Sequence, residues 1–285
     1  MKLVAVVFLW TLGLLGHARA GEVSFAFPEV NPNRIIGLKF EGEIVPGDGE
    51  KIRNAMLAYA PSVSRIFLYS KGGDVVEAMK IGRLIRRLRF ATETGNYDPV
   101  AGKSFCLVKP EHSDTCICAS ACFLAFAGGA YRYGNYLLLH RPFLTNEAAA
   151  NLSDVRQEEA QKSVMLSVRK YLEEMEVPSY YAEAMMARSS QDAYLVTADD
   201  DRSHRLLGNP ASIEEITLRK CKVISIEEFN LIGRLARKGN HRTPEESGLY
   251  QDLSAKLESG GRCQSDVMKQ LQADALKREF AGEAR

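Results

Sequence analysis

The stretch that decides the fold runs from residue 118 to residue 143 and reads CASACFLAFAGGAYRYGNYLLLHRPF. Ser120 stands among small residues at the start of one apolar run, and His140 ends another. The first run, Ala119 to Ala127, predicts a short buried helix, and residues 131–140 predict a pair of strands. Ser120 is therefore expected just ahead of a helix and His140 at the end of a strand.

The segments before this stretch predict an α/β fold with parallel strands. Residues 34–44 and 64–70 are rich in apolar and β-branched residues, and each is followed by a turn and then by a helical pattern. The second turn contains Gly72 and Gly73, and its helix is predicted from about Val75 to Arg89. This order of strand, helix, strand, glycine turn and helix is typical of α/β folds.

Residues 91–117 interrupt this rhythm. They are rich in turn-forming residues and cysteine, so they predict a surface insertion that disulfides hold in place. After the stretch, residues 153–175 predict the longest amphipathic helix, and Pro178 opens a second helix through Met186. Residues 191–196 predict a further strand.

The remaining chain predicts helices only. Thr197 followed three residues later by Asp200 is a capping signature for a helix that Gly208 ends. From residue 211 to residue 285 the composition is polar and helical. We therefore predict an α/β domain over residues 21–210 and a helical C-terminal extension over residues 211–285.

Residues 1–20 have the pattern of a cleavable signal peptide. Lys2 precedes an apolar stretch, and Ala18-Arg19-Ala20 precedes Gly21. The alternative is an uncleaved membrane anchor, but the apolar run is shorter than the roughly 20 residues that a span requires. We therefore predict a periplasmic or secreted protein that is cleaved after Ala20.

The cysteines predict disulfides. An even count in an exported chain is typical of bridged proteins, and the six are Cys106, Cys116, Cys118, Cys122, Cys221 and Cys263. One or two local pairs among the first four, together with a pair between Cys221 and Cys263, fit the spacing best. The alternative is a zinc site built by His112 and the three cysteines that follow it, although their spacing does not match paired C-x2-C ligands.

The charge pattern argues against a nucleic-acid partner. The formal net charge is +1, whereas nucleic-acid-binding domains carry a concentrated basic excess. Four arginines cluster on the predicted helix that begins at Val75, and we interpret them as a solvated face: Arg83, Arg86, Arg87 and Arg89.

The chain contains candidates for the parts of a serine hydrolase. Such an enzyme needs a nucleophile at a tight junction, a base, an acid that orients the base, and backbone N–H groups for the oxyanion. Ser120 lies just ahead of a helix, where the N–H groups are free. His140 is the best candidate base, because His112 lies in the insertion, His204 in a polar helix and His241 in the extension.

The order of these segments resembles the Clp protease proteolytic subunit and its wider Clp/crotonase superfamily. The matching motifs are SKGG at 70–73, ASA at 119–121, LHRP at 139–142 and QDAYLV at 191–196. The resemblance covers about residues 34–209. It implies a Clp/crotonase-like ββα superhelix and a serine peptidase or hydrolase that needs no cofactor and no metal.

The resemblance also implies residue roles. Ser120 would be the nucleophile, His140 the general base and Asp192 the carboxylate that orients it. The backbone N–H groups of Gly73 and Ala121 would form the oxyanion hole. The implied partners are a peptide or protein substrate and further copies of the same chain in a homo-oligomer.

The sequence also departs from that family. Lys71 stands where the family has proline, and the segment after Pro142 lacks the family's glycine-rich strand. Export would separate the protein from ATP, so no ATPase partner is expected. One alternative is a catalytically silent scaffold or partner-binding protein of the same fold. Another is an acyl-CoA enzyme of the crotonase branch, which export disfavours because coenzyme A would be absent.

Overall fold

The computed structural model describes residues 20–27, 35–59, 62–98, 103–106, 116–143, 150 and 152–283. The predicted signal peptide up to Arg19 and the candidate zinc ligand His112 lie outside these residues. Within the described part of the chain, no helix has both the length and the hydropathy that crossing a membrane requires.

The strands are short and lie mainly in the first half of the chain. They are β1 (Glu22–Ala26), β2 (Gly37–Glu41), β3 (Arg65–Tyr69), β4 (Ala91–Glu93), β5 (Asn96–Asp98), β6 (Lys103–Phe105), β7 (Cys118–Ala119), β8 (Arg132–Tyr133), β9 (Leu137–Leu139) and β10 (Tyr194–Leu195).

The helices alternate with the strands at first and then continue alone to the end of the described chain. They are α1 (Asp48–Tyr59), α2 (Val75–Leu88), α3 (Ala121–Ala127), α4 (Asp154–Glu174), α5 (Ser179–Ala187), α6 (Ala198–His204), α7 (Ala211–Lys220), α8 (Ile226–Lys238) and α9 (Pro244–Glu283), with a 3-10 turn at Gly239–His241.

The strands form a mixed α/β architecture. The largest sheet has the order β1-β2-β3-β4-β8, in which β2, β3, β4 and β8 run parallel and β1 runs antiparallel to β2. A second sheet has the order β10-β9-β7, with β7 and β9 parallel and β10 antiparallel to β9. The predicted α/β class with parallel strands is confirmed at this level. The antiparallel β1 was not predicted.

Backbone bridges join the two sheets. Ser70, directly after β3, pairs with Cys118 of β7, whereas the pair of Ile44 and Gly73 lies beyond the paired strands β2 and β3 of the large sheet. The Ser70 N–H donates to the carbonyl of Ile117 at 2.9 Å, and the Ala119 N–H donates to the carbonyl of Ser70 at 2.8 Å. The end of β3, the glycine turn and the start of α3 therefore meet at one point.

Helices α2 and α3 pack against each other beside the large sheet. The α2 helix begins at the N-cap Asp74, whose carboxylate accepts from the Glu77 N–H at 2.6 Å. All seven residues of α3 are buried. The contact is so close that a Cβ on Gly128 would lie 2.0 Å from the carbonyl oxygen of Gly82. Glycine is required there because no side chain fits between the two backbones.

The predicted surface insertion begins too early. Thr92 lies in β4, which is a central strand between β3 and β8, and it is fully buried. Its hydroxyl donates to the carbonyl of Phe126 at 2.8 Å. Thr92 is buried because its hydroxyl bonds to backbone, and Glu93 because it pairs with Arg65 at 2.6 Å, which is why the apolar pattern of a strand is missing from the sequence. The hairpin of β5 and β6 follows it.

All six cysteines are paired. The disulfides join Cys106 to Cys116, Cys118 to Cys122 and Cys221 to Cys263, with Cα–Cα distances of 6.0, 5.2 and 5.7 Å. The predicted pair between Cys221 and Cys263 is confirmed. Three disulfides indicate an oxidising, extracellular type of environment. The three cysteines of the zinc alternative are all bonded to sulfur.

The predicted solvated face of α2 is solvated only in part, since the side chains of Arg83 and Arg87 are 44% and 56% exposed and that of Arg86 is 13% exposed. Arg83 pairs with Glu174 at the end of α4 (2.7 Å), and Arg87 pairs with Glu279 of α9 (3.0 Å). Arg86 donates to the carbonyl of Gly128 at 3.1 Å. Each arginine finds its partner on an element that is distant in sequence, which a local pattern does not reveal.

Residues 211–283 form the helical end of the described chain. The Cys221–Cys263 disulfide joins the end of α7 to the middle of α9. Near the end of α9, Glu279 accepts hydrogen bonds from Arg53 of α1 and Arg87 of α2. Burial raises the pKa of Glu279, but hydrogen bonds from Arg87 and Arg53 lower it by more, so the pKa lies below its ordinary value. The last helix is thus tied to the α/β part of the molecule.

Candidate active site

A cavity of about 760 Å³ lies where the two sheets meet. Its wall is formed by the segment after β2, the glycine turn, and residues around Ser120 and His140. The lining residues are Glu41, Gly42, Glu43, Ile44, Val45, Pro46, Tyr69, Ser70, Lys71, Gly72, Gly73, Asp74, Val75, Ile117, Ser120, His140, Pro142, Phe143 and Ser190. Two of the predicted catalytic side chains therefore face the same space.

Ser120 has a strained backbone. Its φ is 56° and its ψ is −123°. Residues other than glycine rarely adopt this combination, which costs about 1–3 kcal/mol. The conformation is held from both sides: the Ser120 N–H donates to the carbonyl of Leu138 at 2.8 Å, and the Ser120 carbonyl accepts from the Phe123 N–H at 3.0 Å. Strain of this kind is typical of functional turns, where it turns a side chain away from the direction that regular structure would give it.

The glycine turn packs directly on Ser120. A Cβ on Gly72 would lie 2.8 Å from Cβ and 3.2 Å from Oγ of Ser120, so only glycine leaves room for the serine. Gly72 and Gly73 both have positive φ, at 118° and 133°. Ser70 fixes the turn, because its Oγ accepts from the Gly72 N–H and lies at the same distance, 3.1 Å, from the Gly72 carbonyl.

The two N–H groups predicted for an oxyanion hole are free in the described part of the chain. Neither the Gly73 N–H nor the Ala121 N–H has a hydrogen-bond acceptor among the described residues. Ala121 is the first residue of α3, whose first-turn N–H groups have no partner within the helix and carry the positive end of its dipole. Gly73 is exposed on the cavity wall.

His140 is oriented by a backbone carbonyl. It is 8% exposed, and its Nδ1 lies 2.9 Å from the carbonyl oxygen of Arg141. A carbonyl oxygen only accepts, so Nδ1 carries the hydrogen and Nε2 of the neutral ring is left as the acceptor. The ring of Phe143 stacks beside the imidazole, with centroids 5.8 Å apart. The described contacts contain no hydrogen bond between Ser120 and His140, a bond that often tightens only when substrate is bound.

Asp192 lies at the surface. Its side chain is 70% exposed and pairs with Arg188 at 2.6 Å, and its carboxylate is not among the described hydrogen-bond partners of His140. The structure thus brings Ser120, His140 and the glycine turn to one cavity, and it leaves Asp192 at the surface. Its role as the orienting carboxylate stays a prediction.

A buried arginine holds the far end of α3. Arg132 is 2% exposed and donates to the carbonyls of Ala127 and Leu206 at 2.8 and 3.3 Å. Burial lowers the pKa of Arg132 to about 9, which still leaves the guanidinium charged at neutral pH. A cation at the C-terminal end of a helix stabilises it, so α3 is fixed at the end opposite Ser120.

Glu77 holds the loop that forms one wall of the cavity. Its carboxylate accepts from the N–H groups of Gly47 and Gly49 at 3.1 and 2.8 Å. Burial raises the pKa of Glu77, but hydrogen bonds from Gly49, Lys80 and Gly47 lower it by more, so the pKa lies below its ordinary value. Val45 and Pro46 of this loop line the cavity, so Glu77 supports the site without facing it.

Sequence reasoning predicted one or two local pairs among the first four cysteines, and the disulfide between Cys118 and Cys122, which spans Ser120, is one of them. It missed two features of this site: the hydrogen bonds by which Ser70 holds the glycine turn, and the Arg141 carbonyl, for which the sequence contains no signal. Among the described residues, no three metal-ligating side chains come together.

Comparisons with known proteins add little to this description. No protein-family model matches the chain, and no curated protein matches it. Among solved structures, the chain is similar to a point mutant of ClpP1 from Listeria monocytogenes, with a TM-score of 0.38 and 11% sequence identity, over 58% of this chain and 84% of that chain. A similarity of this size identifies neither a family nor a function.

Proposed function

We propose that this protein is a serine hydrolase in which Ser120 is the nucleophile and His140 is the general base. The observation that carries the proposal is the strained backbone of Ser120, with φ 56°, in contact with Gly72. The N–H of the following residue, Gly73, has no acceptor among the described residues. A serine that only caps a helix needs neither the strain nor the glycine contact.

The reaction follows from this arrangement. Nε2 of His140 takes the proton of the Ser120 hydroxyl while Oγ attacks an acyl carbonyl carbon. The N–H groups of Gly73 and Ala121 donate to the oxygen that becomes negative. His140 then gives the proton to the leaving group as the bond between that group and the acyl carbon breaks. In the second half of the reaction, His140 takes a proton from water as the water oxygen attacks the acyl carbon, and it returns the proton to Ser120 Oγ as the bond between Oγ and the acyl carbon breaks.

In this proposal, the Arg141 carbonyl replaces the orienting carboxylate. Its contact with Nδ1 selects the tautomer in which Nε2 is a base. A neutral carbonyl stabilises the imidazolium less than a carboxylate does, so we expect slower turnover than a complete triad gives. Asp192 would take the orienting role only if its pair with Arg188 opened.

The proposed substrate and assembly rest on the resemblance of the motifs to the Clp protease proteolytic subunit, and the proposed location rests on the signal-peptide pattern of residues 1–20. We propose a peptide or protein substrate and a periplasmic or secreted location, which the disulfides support. We also propose a homo-oligomer that uses α4, on which Val155 and Leu166 are each 68% exposed. A monomeric mass in light scattering would contradict the assembly.

A fluorophosphonate probe tests the nucleophile. The purified protein, with its disulfides intact, is treated beside Ser120→Ala and a matched control, Ser190→Ala, which removes another hydroxyl from the same cavity wall. We expect an adduct on Ser120 by peptide mass spectrometry, no adduct in Ser120→Ala, and labelling close to that of the unaltered protein in Ser190→Ala.

An unlabelled protein would support the silent alternative, in which the same fold serves as a scaffold or binds a partner. Labelling that persists in Ser120→Ala would also contradict the proposal, because it would place the reactive hydroxyl elsewhere. A peptide library then separates peptidases from other acyl hydrolases, since only the former release new amino termini.

A further inference from the structure

We propose that the disulfide between Cys118 and Cys122 is a positioning group for Ser120, so that the reactivity of the serine depends on this bond. The proposal deepens the proposed function and rests on it, because it concerns the same serine. It assigns a role to two cysteines that neither take part in the chemistry nor face the cavity, since both are fully buried.

The bond spans the strained residue symmetrically. Cys118 belongs to β7 and Cys122 to the first turn of α3, and their Cα atoms are 5.2 Å apart. Ser120 lies midway between them and is the single residue that separates the end of this strand from the start of this helix. The disulfide therefore closes a small ring that contains the whole turn.

The strand side of this ring is anchored firmly. The Cys118 N–H donates to the carbonyl of Tyr136 at 3.0 Å, and β7 is paired with both Ser70 and β9. On the helix side, α3 is held by its packing on α2 and, at its far end, by Arg132, whereas the N–H of its first residue, Ala121, has no acceptor among the described residues. The disulfide transmits the anchoring of the strand to the first turn of the helix.

The position of the first turn decides where the proposed oxyanion donor points. Ala121 lies between Ser120 and Cys122 in the ring, so its N–H direction is set by the same bond. If the ring opens, the turn can relax toward a negative φ, which side chains prefer. Ser120 Oγ and the Ala121 N–H would then move together away from the Gly73 side of the site.

The disulfide between Cys221 and Cys263 has no such relation to the site. The Cys221–Cys263 bond has a sequence separation of 42 and joins two helices of the C-terminal part, whereas the Cys118–Cys122 bond has a separation of 4. By loop-closure entropy, the longer loop contributes more to stability. Removing each bond in turn therefore separates an effect on stability from an effect on reactivity.

The experiment compares the double variants Cys118→Ala/Cys122→Ala and Cys221→Ala/Cys263→Ala with the unaltered protein. Each is labelled with a saturating fluorophosphonate probe, and the labelling curve gives two readouts. Its amplitude reports the fraction of folded protein, and its rate constant reports the reactivity of Ser120 in that fraction. Thermal unfolding measures stability in parallel.

We expect the rate constant of Cys118→Ala/Cys122→Ala to fall on the order of 100-fold, as displacements of about 1 Å in active sites do. We expect Cys221→Ala/Cys263→Ala to lose more thermal stability and to keep its rate constant within about threefold. If Cys118→Ala/Cys122→Ala keeps its rate constant and loses only labelling amplitude, the proposal is overturned. The bond would then contribute to stability alone.

A crystal structure of Cys118→Ala/Cys122→Ala gives a second readout that requires no activity. We expect the φ of Ser120 to leave the positive range and its contact with Gly72 to lengthen. An unchanged Ser120 conformation would overturn the positioning role even if the unaltered protein were never labelled. Failure of labelling in the unaltered protein, by contrast, would count against the proposed function alone.

Discussion

The turn at Ser120 and the segment from residue 188 to residue 192 both carry a residue that matches a family motif, but they are built differently. Ser120 is held by hydrogen bonds to β9 and α3, by the glycine contact and by a disulfide. Asp192 is held by an exposed pair with Arg188 and a backbone hydrogen bond to Ser189 at 3.2 Å. A surface pair of this kind contributes little to a fixed geometry.

This difference separates a motif residue whose backbone conformation is held by its neighbours from one that matches only in residue type. A short motif specifies residue types in order, whereas a catalytic role requires that the backbone hold one conformation. Ser120 meets that requirement because its neighbours over-determine a strained φ. Asp192 does not, since water competes for a carboxylate that is 70% exposed. Four substitutions test this contrast, taken from the largest expected effect to the smallest.

Replacing His140 should have the largest effect. His140→Ala removes the proposed base, which lines the same cavity as Ser120, so we expect the rate of probe labelling to fall at least about 10³-fold. His204→Ala is the matched control, because that ring stacks on Tyr180 with centroids 3.8 Å apart. Equal labelling of His140→Ala and the unaltered protein would show that another group activates the serine.

Replacing Gly72 should come next. In Gly72→Ala the new methyl group would meet Cβ of Ser120 at 2.8 Å, so we expect the labelling rate to fall about 100-fold together with a loss of stability of about 2 kcal/mol. Gly47→Ala separates the two effects, because Gly47 also has positive φ but has open space around its Cβ position. A similar loss of labelling in both variants would mean that strain in general, and not contact with Ser120, matters.

Replacing Glu77 should affect stability and its dependence on pH. The folded pKa of Glu77 lies below its ordinary value of 4.5. Its contribution is therefore present in full above that pH and is lost as the pH falls through the folded value. We expect Glu77→Gln to lower the free energy of unfolding at pH 7 by about 1 kcal/mol.

Urea unfolding at pH 7 and below pH 4 measures this prediction. The difference between Glu77→Gln and the unaltered protein should shrink at the lower pH, where the carboxylate becomes protonated. Glu50→Gln is the matched control, since that side chain is 66% exposed. A difference that stays constant with pH would show that the shape of the side chain, and not its charge, holds the loop of Gly47 and Gly49.

Replacing Asp192 should have the smallest effect. Asp192→Asn breaks a surface pair, so we expect labelling and turnover to stay within about threefold of the unaltered protein. Loss of an orienting carboxylate in a working triad instead costs about 10⁴-fold in turnover. A fall of that size would show that Asp192 moves to His140 during the reaction, and it would restore the role that the motif implies.

The sequence allowed most of the local structure to be predicted. The apolar patterns located α2, α3 and β9, and Thr197 with Asp200 forms the predicted capping box. Ser120 and His140, the nucleophile and base that the sequence suggests, line one cavity. These predictions succeed because apolar periodicity, glycine turns and helix caps depend on residues that are close in the chain.

Other features could not be predicted because they depend on distant partners. Thr92 reads as part of a polar surface segment, yet it is buried because a carbonyl of α3 accepts its hydroxyl. Arg86 reads as part of a solvated face, yet it donates to the carbonyl of Gly128. In both cases a polar side chain is satisfied by a backbone group that only the fold brings near.

The same division describes the candidate site. The sequence by itself determined the parts: a serine between two cysteines, a glycine pair after a buried strand, and a histidine at a strand end, because each is a local requirement of backbone conformation or burial. Only the tertiary structure decided which parts meet. The pairing of β7 with β9 and the packing of Gly72 on Ser120 bring three segments to one cavity, because such contacts follow from the packing of whole elements.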